Sequence, residues 1–205
     1  MEIETAVMLY GRFQPPTKAH AKLFDKYLEV GYNQNESIYG AIFISPSVDK
    51  KSNPLSLDIR YNFLSKLYPH LDFVANPEIK NPFDAVHFLG GIGIRRIILI
   101  AGSDQASRLK QQLTKYVHHP DPKLAFLNVE KIEMVEFGKR NPDSDNFIES
   151  LSATKARQAV KANDFICFSK AIPECGIEEQ VQLYINVRQG LGLIDETTTR
   201  IFTKQ

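Results

Sequence analysis

Tryptophan is absent, cysteine occurs twice and methionine three times in 205 residues. With only Cys167 and Cys175, no disulfide framework can hold the fold, and their spacing matches no zinc or redox motif. Both are read as buried or half-buried thiols of a reduced compartment. Neither sign of charge dominates: 25 Lys and Arg stand against 24 Asp and Glu, a formal net charge of +1. Nucleic-acid binding through bulk charge is therefore not expected, and any anion site must be built from placed residues. No apolar run approaches the roughly 18 residues that a membrane span needs. The opening stretch MEIETAVMLYGRF has two acids and no basic region, so no secretory signal is read in it. These absences predict a soluble cytoplasmic protein without membrane or nucleic-acid partners.

What is present is ordinary for a globular chain: 43% apolar and 24% charged residues. The length suffices for one real core. Apolar residues 3–10 end at Gly11 and read as a buried strand. Ala19, Leu23, Tyr27 and Leu28 then recur at helical spacing. Strand-like runs follow at 37–45, 71–75 and 96–102, with one or two more within 124–137. Helical patterns cover 57–68, with Leu57, Tyr61 and Leu64 on one face, then 82–89, 103–117, 151–162, 165–171 and 178–187. Alternating strands and helices predict an α/β fold: a doubly wound, Rossmann-like parallel sheet with helices on both faces. Residues 1–160 are assigned to that domain and 161–205 to a helical C-terminal annex packed on it. Ligands of such sheets bind beyond the carboxyl ends of the strands.

The segment GRFQPPTKAH, Gly11 to His20, lies at such an end. Gly11 lets a ligand approach the backbone closely. A helix starting near Thr17 presents free amides and a positive dipole end. Thr17 and His20 share a helical face, and Arg12 and Lys18 add positive charge. Taken singly, Thr17 reads as an N-cap, His20 as a core or surface histidine and the cations as solvated. A second segment, Ser152 to Arg157 (SATKAR), opens a later helix. Ser152 or Thr154 can cap it, and Thr154 and Arg157 share a face. Hydroxyls, amides and a guanidinium together suit a triphosphate tail.

These two segments resemble the H/T-x-G-H and S-x-T-x-x-R signatures of the nucleotidyltransferase superfamily. GRFQPPTKAH is most similar to the GRFQPFHxGH form of nicotinamide-mononucleotide adenylyltransferases. Thr17 stands at the first-histidine position, as in pantetheine-phosphate adenylyltransferases, and Ala19 replaces the usual glycine. Asn53 to Arg60 resembles the NPF-T-x-x-E-R segment of the archaeal-type enzymes, with Ile59 in place of the acid. Ala101 to Asp104 (AGSD) is similar to the superfamily's G-x-D turn. The combination of AGSD, NPDSD and SATKAR also resembles nucleotidyltransferase-like proteins carried by some bacteriophages.

The resemblance implies transfer of AMP from ATP to nicotinamide mononucleotide, with release of pyrophosphate and Mg2+ bridging phosphate oxygens. It implies roles for particular residues. His20, Thr17 and Arg157 are catalytic: His20 stabilises charge on the α-phosphate, Thr17 donates to the α- or β-phosphate, and Arg157 holds the pyrophosphate. Gly11, Arg12, Phe13, Gln14, Lys18, Gly102, Asp104, Ser152 and Thr154 line the nucleotide site. Arg12 and Arg60 hold the acceptor phosphate, and no residue is assigned as a metal ligand. Phe83, His87 and Phe88 are candidates for an aromatic nicotinamide pocket, and Lys131, Lys139 and Arg140 read as a solvated rim. A homo-oligomer is expected by analogy. Three other readings stand beside this one. They are another adenylyl or cytidylyl transfer onto a sugar or alcohol phosphate, a nucleotide-binding protein without turnover, and a relative of class I aminoacyl-tRNA synthetases.

Overall fold

The computed structural model describes residues 3–34, 36–138 and 152–194, with the Asp104 side chain excepted. Five strands form one sheet: β1 (Thr5–Gly11), β2 (Ile38–Ile44), β3 (Phe73–Val74), β4 (Arg96–Gly102) and β5 (Lys131–Phe137). Every pairing is parallel and the order is β3-β2-β1-β4-β5. The chain thus runs outward from β1 to β3 and returns to the other side of β1 as β4. A topological switch point lies between β1 and β4, where open α/β sheets leave a crevice. The helices are α1 (Lys18–Tyr32), α2 (Leu57–Leu67), α3 (Pro82–Gly91), α4 (Ser103–Thr114), α5 (Ala153–Lys161), α6 (Phe165–Ala171) and α7 (Ile177–Gly190).

Side chains alternate across the strands and feed two cores. Val7, Leu9, Ile42, Ile44, Ile98 and Ile100 meet Phe24 and Tyr27 of α1 and Leu64 of α2. On the opposite face, Ala6, Met8, Phe43, Ile97 and Leu99 meet Ala85, Val86 and Leu89 of α3 and Leu113 of α4. Each fully buried large apolar side chain contributes about 1.5–3 kcal/mol. A third core joins α5, α6 and α7 to Leu55, with Ile59 and Phe63 of α2 packed against it. The C-terminal helices therefore pack on α2. The end of α7 lies close: a Cβ on Gly190 would sit 1.8 Å from the Pro54 carbonyl oxygen.

The elements match the sequence expectation with local differences. Strand β4 has the predicted bounds, β3 shrinks to two residues, and α4 stops at Thr114. Only one strand forms within 124–137, because a turn fills the stretch before it and Asn128 takes a left-handed φ of 60°. Helix α2 keeps Leu57 and Leu64 of its predicted face against the core, but Tyr61 is exposed and Arg60 is buried as well. On α1, Phe24 and Val30 join Tyr27 as the buried residues, with Leu23 and Leu28 only packed at the edge.

At the amino ends of the strands, Arg96 donates to Glu133 (2.7 Å) and to Glu36 (3.0 Å), and the Thr5 hydroxyl donates to Glu36 (2.8 Å). Charge is thus paired off at the edge opposite the crevice. Both cysteines are half-buried free thiols. Among the described residues, no helix is long and apolar enough to cross a membrane. Residues 139–151, with Lys139, Arg140 and the NPDSD segment, and the tail beyond residue 194 lie outside the described residues.

Candidate active site

Residues 12–17 carry the chain from the carboxyl end of β1 to the start of α1. Phe13 adopts φ 49°, a left-handed conformation that is unfavourable for a residue with a Cβ. Burial holds it there: its ring is 1% exposed, edge-on to His20 at 5.0 Å and packed on Phe24 at 5.7 Å. A Cβ on Gly11 would lie 2.5 Å from that ring. The glycine therefore makes room for the Phe13 ring. The expected ligand contact from the Phe13 side chain is replaced by core packing.

Gln14, after which comes a cis peptide bond to Pro15, is also turned inward. Its amide donates to the carbonyls of Leu55 (2.7 Å) and Ser47 (3.2 Å) and accepts from the Leu55 N–H (2.8 Å). Its side chain clamps the 45–55 loop rather than a nucleotide. That loop is closed by Asp49, which accepts from the N–H groups of Lys51 (2.8 Å) and Ser52 (2.6 Å) and from the Asn53 amide. The Ser52 N–H and Asn53 amide hold the Asp49 carboxyl down to about 2.

Thr17 is the N-cap of α1 and is wholly buried. Its backbone N–H donates to Nδ1 of His20 at 3.0 Å, and its hydroxyl lies 2.9 Å from the same nitrogen. A histidine thus fills the place usually taken by a glutamate in the reciprocal half of a capping box. Lys18, half-buried, is 4.0 Å from the exposed Glu174 in the α6–α7 connection, a loose pair.

Arg60 departs from its expected place as a clamp on the acceptor phosphate. It is 0% exposed. Its Nη1 donates to the carbonyls of Arg12 (2.7 Å) and Ser45 (2.6 Å), and its Nε to that of Ser56 (3.1 Å). It thereby ties the ends of β1 and β2 to the start of α2. Its Nη2 is buried without a protein partner. Burial lowers its pKa to about 10, against a small opposing effect of Tyr10. Tyr10, beside it at the end of β1, is pushed up chiefly by burial.

The second signature segment reaches the first through Arg157. Arg157 donates from Nη1 to the Gln14 carbonyl (2.5 Å) and from Nη2 to the Thr154 hydroxyl (3.2 Å). Burial lowers the Arg157 pKa, the nearby Arg12 guanidinium lowers it further, and Asp49 opposes this. Two like charges held near each other at the carboxyl end of β1, one exposed and one half-buried, form a place where an anion relieves repulsion. Ser152 caps α5 by accepting from the Lys155 N–H (3.3 Å). On the other side of the switch point, Gly102 is the N-cap of α4 and makes no side-chain cap bond. Ser103 donates to the Gly138 carbonyl (2.5 Å), joining the ends of β4 and β5. The Asp104 side chain lies outside what is described.

The aromatic candidates are engaged elsewhere. Phe83 packs on Tyr116 (5.4 Å) and Phe126, His87 on Phe126 (4.7 Å), and Phe88 on Phe43 (5.9 Å). Lys131 is exposed, as expected, and pairs with Glu133 at 3.0 Å. Sequence reasoning missed the Gln14 clamp and the buried Arg60 anchor, since Gln14 reaches Leu55, 41 residues away, and Arg60 reaches Arg12, 48 residues away.

Comparison with known proteins bears on the same residues. No curated protein matches the chain in sequence. Among solved structures, the chain is similar to TmcAL of Thermotoga maritima, crystallised with α-thio ATP. The TM-score is 0.52 at 10% identity, over 92% of this chain. The chain spans 57% of that protein's length, and the likeness is one of fold. The sequence profile of cytidylyltransferase-like proteins matches residues 8–159, from β1 into α5. Both signature segments lie inside that span. The chain belongs to the cytidylyltransferase-like family of the nucleotidyltransferase superfamily.

Proposed function

We propose that this protein transfers AMP from ATP to nicotinamide mononucleotide, forming NAD and pyrophosphate. The observation that carries this reading is the Arg157–Gln14 contact, which brings the second signature segment against the first. ATP as donor is supported by the fold shared with a protein crystallised with an ATP analogue. The acceptor rests on the resemblance of GRFQP to nicotinamide-mononucleotide adenylyltransferases.

In the proposed step an oxygen of the acceptor phosphate attacks the α-phosphorus, and the bond to the β-phosphate bridging oxygen breaks. That oxygen leaves with pyrophosphate. Two anions must be brought together and aligned, so fixed positive charge and donors do most of the work. Arg157 and the amide end of α5 hold the β- and γ-phosphates. Arg12, exposed and close to Arg157, takes the acceptor phosphate. Arg60 supports Arg12 from beneath through its carbonyl and does not reach the ligand. His20 donates to the oxygen that gains charge. The described residues hold no cluster of three or more His, Cys, Asp or Glu. Mg2+, if bound with the triphosphate, would neutralise phosphate charge beside Arg157 and Arg12.

A second reading keeps this mechanism and changes the substrates to CTP and a sugar or alcohol phosphate; the family profile favours it. A pyrophosphate-release assay with Mg2+ separates the two. It crosses ATP and CTP with nicotinamide mononucleotide, nicotinate mononucleotide and sugar and alcohol phosphates. Pyrophosphate from ATP and nicotinamide mononucleotide, with NAD seen by mass, is the expected result. Release with another pair alone replaces the substrate. Nucleotide binding without release from any pair overturns the enzymatic reading.

A further inference from the structure

We infer that Thr17 is a positioning residue that locks His20 in its Nε2–H tautomer and makes no contact with the triphosphate. This deepens the reading above, in which His20 donates to the reacting phosphate.

The argument starts from one nitrogen. A backbone N–H can only donate, and that of Thr17 is 3.0 Å from His20 Nδ1. Nδ1 must therefore present its lone pair, and the ring proton sits on Nε2. The Thr17 hydroxyl, 2.9 Å from the same lone pair, is a second donor aimed at it. The hydroxyl is not placed for a ligand, because Thr17 is 0% exposed. The ring plane is set independently by Phe13, edge-on at 5.0 Å and itself buried. Position 17 thus acts on the chemistry through His20. It keeps a donor, not an acceptor, on the nitrogen that remains. The threonine hydroxyl does this from within the N-cap, so one contact both starts α1 and fixes the imidazole.

The test uses the full chain labelled with 15N-histidine. The His20 resonances are assigned by their loss in His20→Gln. The expected native spectrum shows Nδ1 in the unprotonated range and Nε2 in the protonated range; the reverse assignment overturns the proposal, whether or not ATP binds. In Thr17→Val the backbone N–H of residue 17 still donates, so Nδ1 stays in the unprotonated range while its signal shifts with the loss of the hydroxyl donor. The ATP dissociation constant measured by calorimetry stays within about threefold, and kcat falls roughly tenfold. Thr17→Ser restores kcat to within about threefold of native. A Thr17→Val protein with an unchanged His20 spectrum and ATP binding weakened about tenfold or more would instead make Thr17 a triphosphate ligand. If no donor and acceptor pair turns over, the proposed function fails while the native spectrum still decides the tautomer.

Discussion

Segments 11–20 and 152–157 both reach the carboxyl edge of the sheet, but they use their side chains differently. In the first, Phe13, Gln14 and Thr17 are buried and bonded to the protein itself. Only Arg12 is exposed, and His20 is half-buried on the face set by Thr17 and Phe13. In the second, Ser152 and Arg157 are half-exposed, Thr154 is exposed, and only Ala156 is buried. Resemblance to a ligand-binding signature therefore does not make each residue in it a ligand. One segment is chiefly a frame that aims a single imidazole. The other is chiefly a set of cations, hydroxyls and amides at a helix start.

That contrast can be broken by substitution. The largest effect is expected at His20, the group the first segment presents. His20→Ala should lower kcat about a hundredfold or more, roughly 3 kcal/mol, with ATP binding nearly unchanged by calorimetry. Native turnover in the folded variant would remove His20 from the reaction. Next comes the anchor beneath the frame. Arg60→Met leaves the buried carbonyls of Arg12 and Ser45 without their donor. It should destabilise the protein by about 2–3 kcal/mol in urea unfolding. Unchanged stability would mean that the desolvated charge of Arg60 offsets its hydrogen bonds.

Arg157→Lys sharpens the contrast from the other side. Lysine keeps the charge but cannot bridge the Gln14 carbonyl and the Thr154 hydroxyl together. It should lower kcat/KM for ATP about tenfold. An equal loss in Arg157→Met and Arg157→Lys would show that geometry matters more than charge. The smallest effect belongs to the far edge of the sheet. Arg96 and Lys131 hold the Glu133 carboxyl down to about 2. A depressed carboxyl pKa stabilises the fold above its unfolded value, near 4.5, and that stability is lost as pH falls toward 2. After discounting for exposure this is about 1 kcal/mol or less. Glu133→Gln should flatten the dependence of Tm on pH between those values and leave activity at neutral pH unchanged.

The sheet was legible because its strands are continuous apolar runs closed by Gly11, Ser45 or Gly102. Strand β3 was overread, since Leu71 and Ala75 are apolar but only Phe73 and Val74 pair with β2. The apolar face read for helix α2 holds at Leu57 and Leu64, but Tyr61 is exposed and a second covered side was missed. Ile59 and Phe63 pack on the C-terminal helices, while Arg60 and Leu64 are buried. Periodicity counts apolar residues and therefore passed over a buried arginine. That the Thr17–His20 and Ser152–Arg157 segments both reach the carboxyl end of β1 was legible from their motifs. The inward turn of Phe13 and Gln14 was not, because a left-handed φ and bonds to residues 47 and 55 leave no local trace.

The most direct test of the central claim follows the label from ATP carrying 32P at the α-phosphorus, with the native protein, Mg2+ and nicotinamide mononucleotide. Label appearing in NAD, with unlabelled pyrophosphate in equal amount, is the predicted result. Label appearing in ADP, with inorganic phosphate released, would place the cleavage between the β- and γ-phosphates and contradict the account.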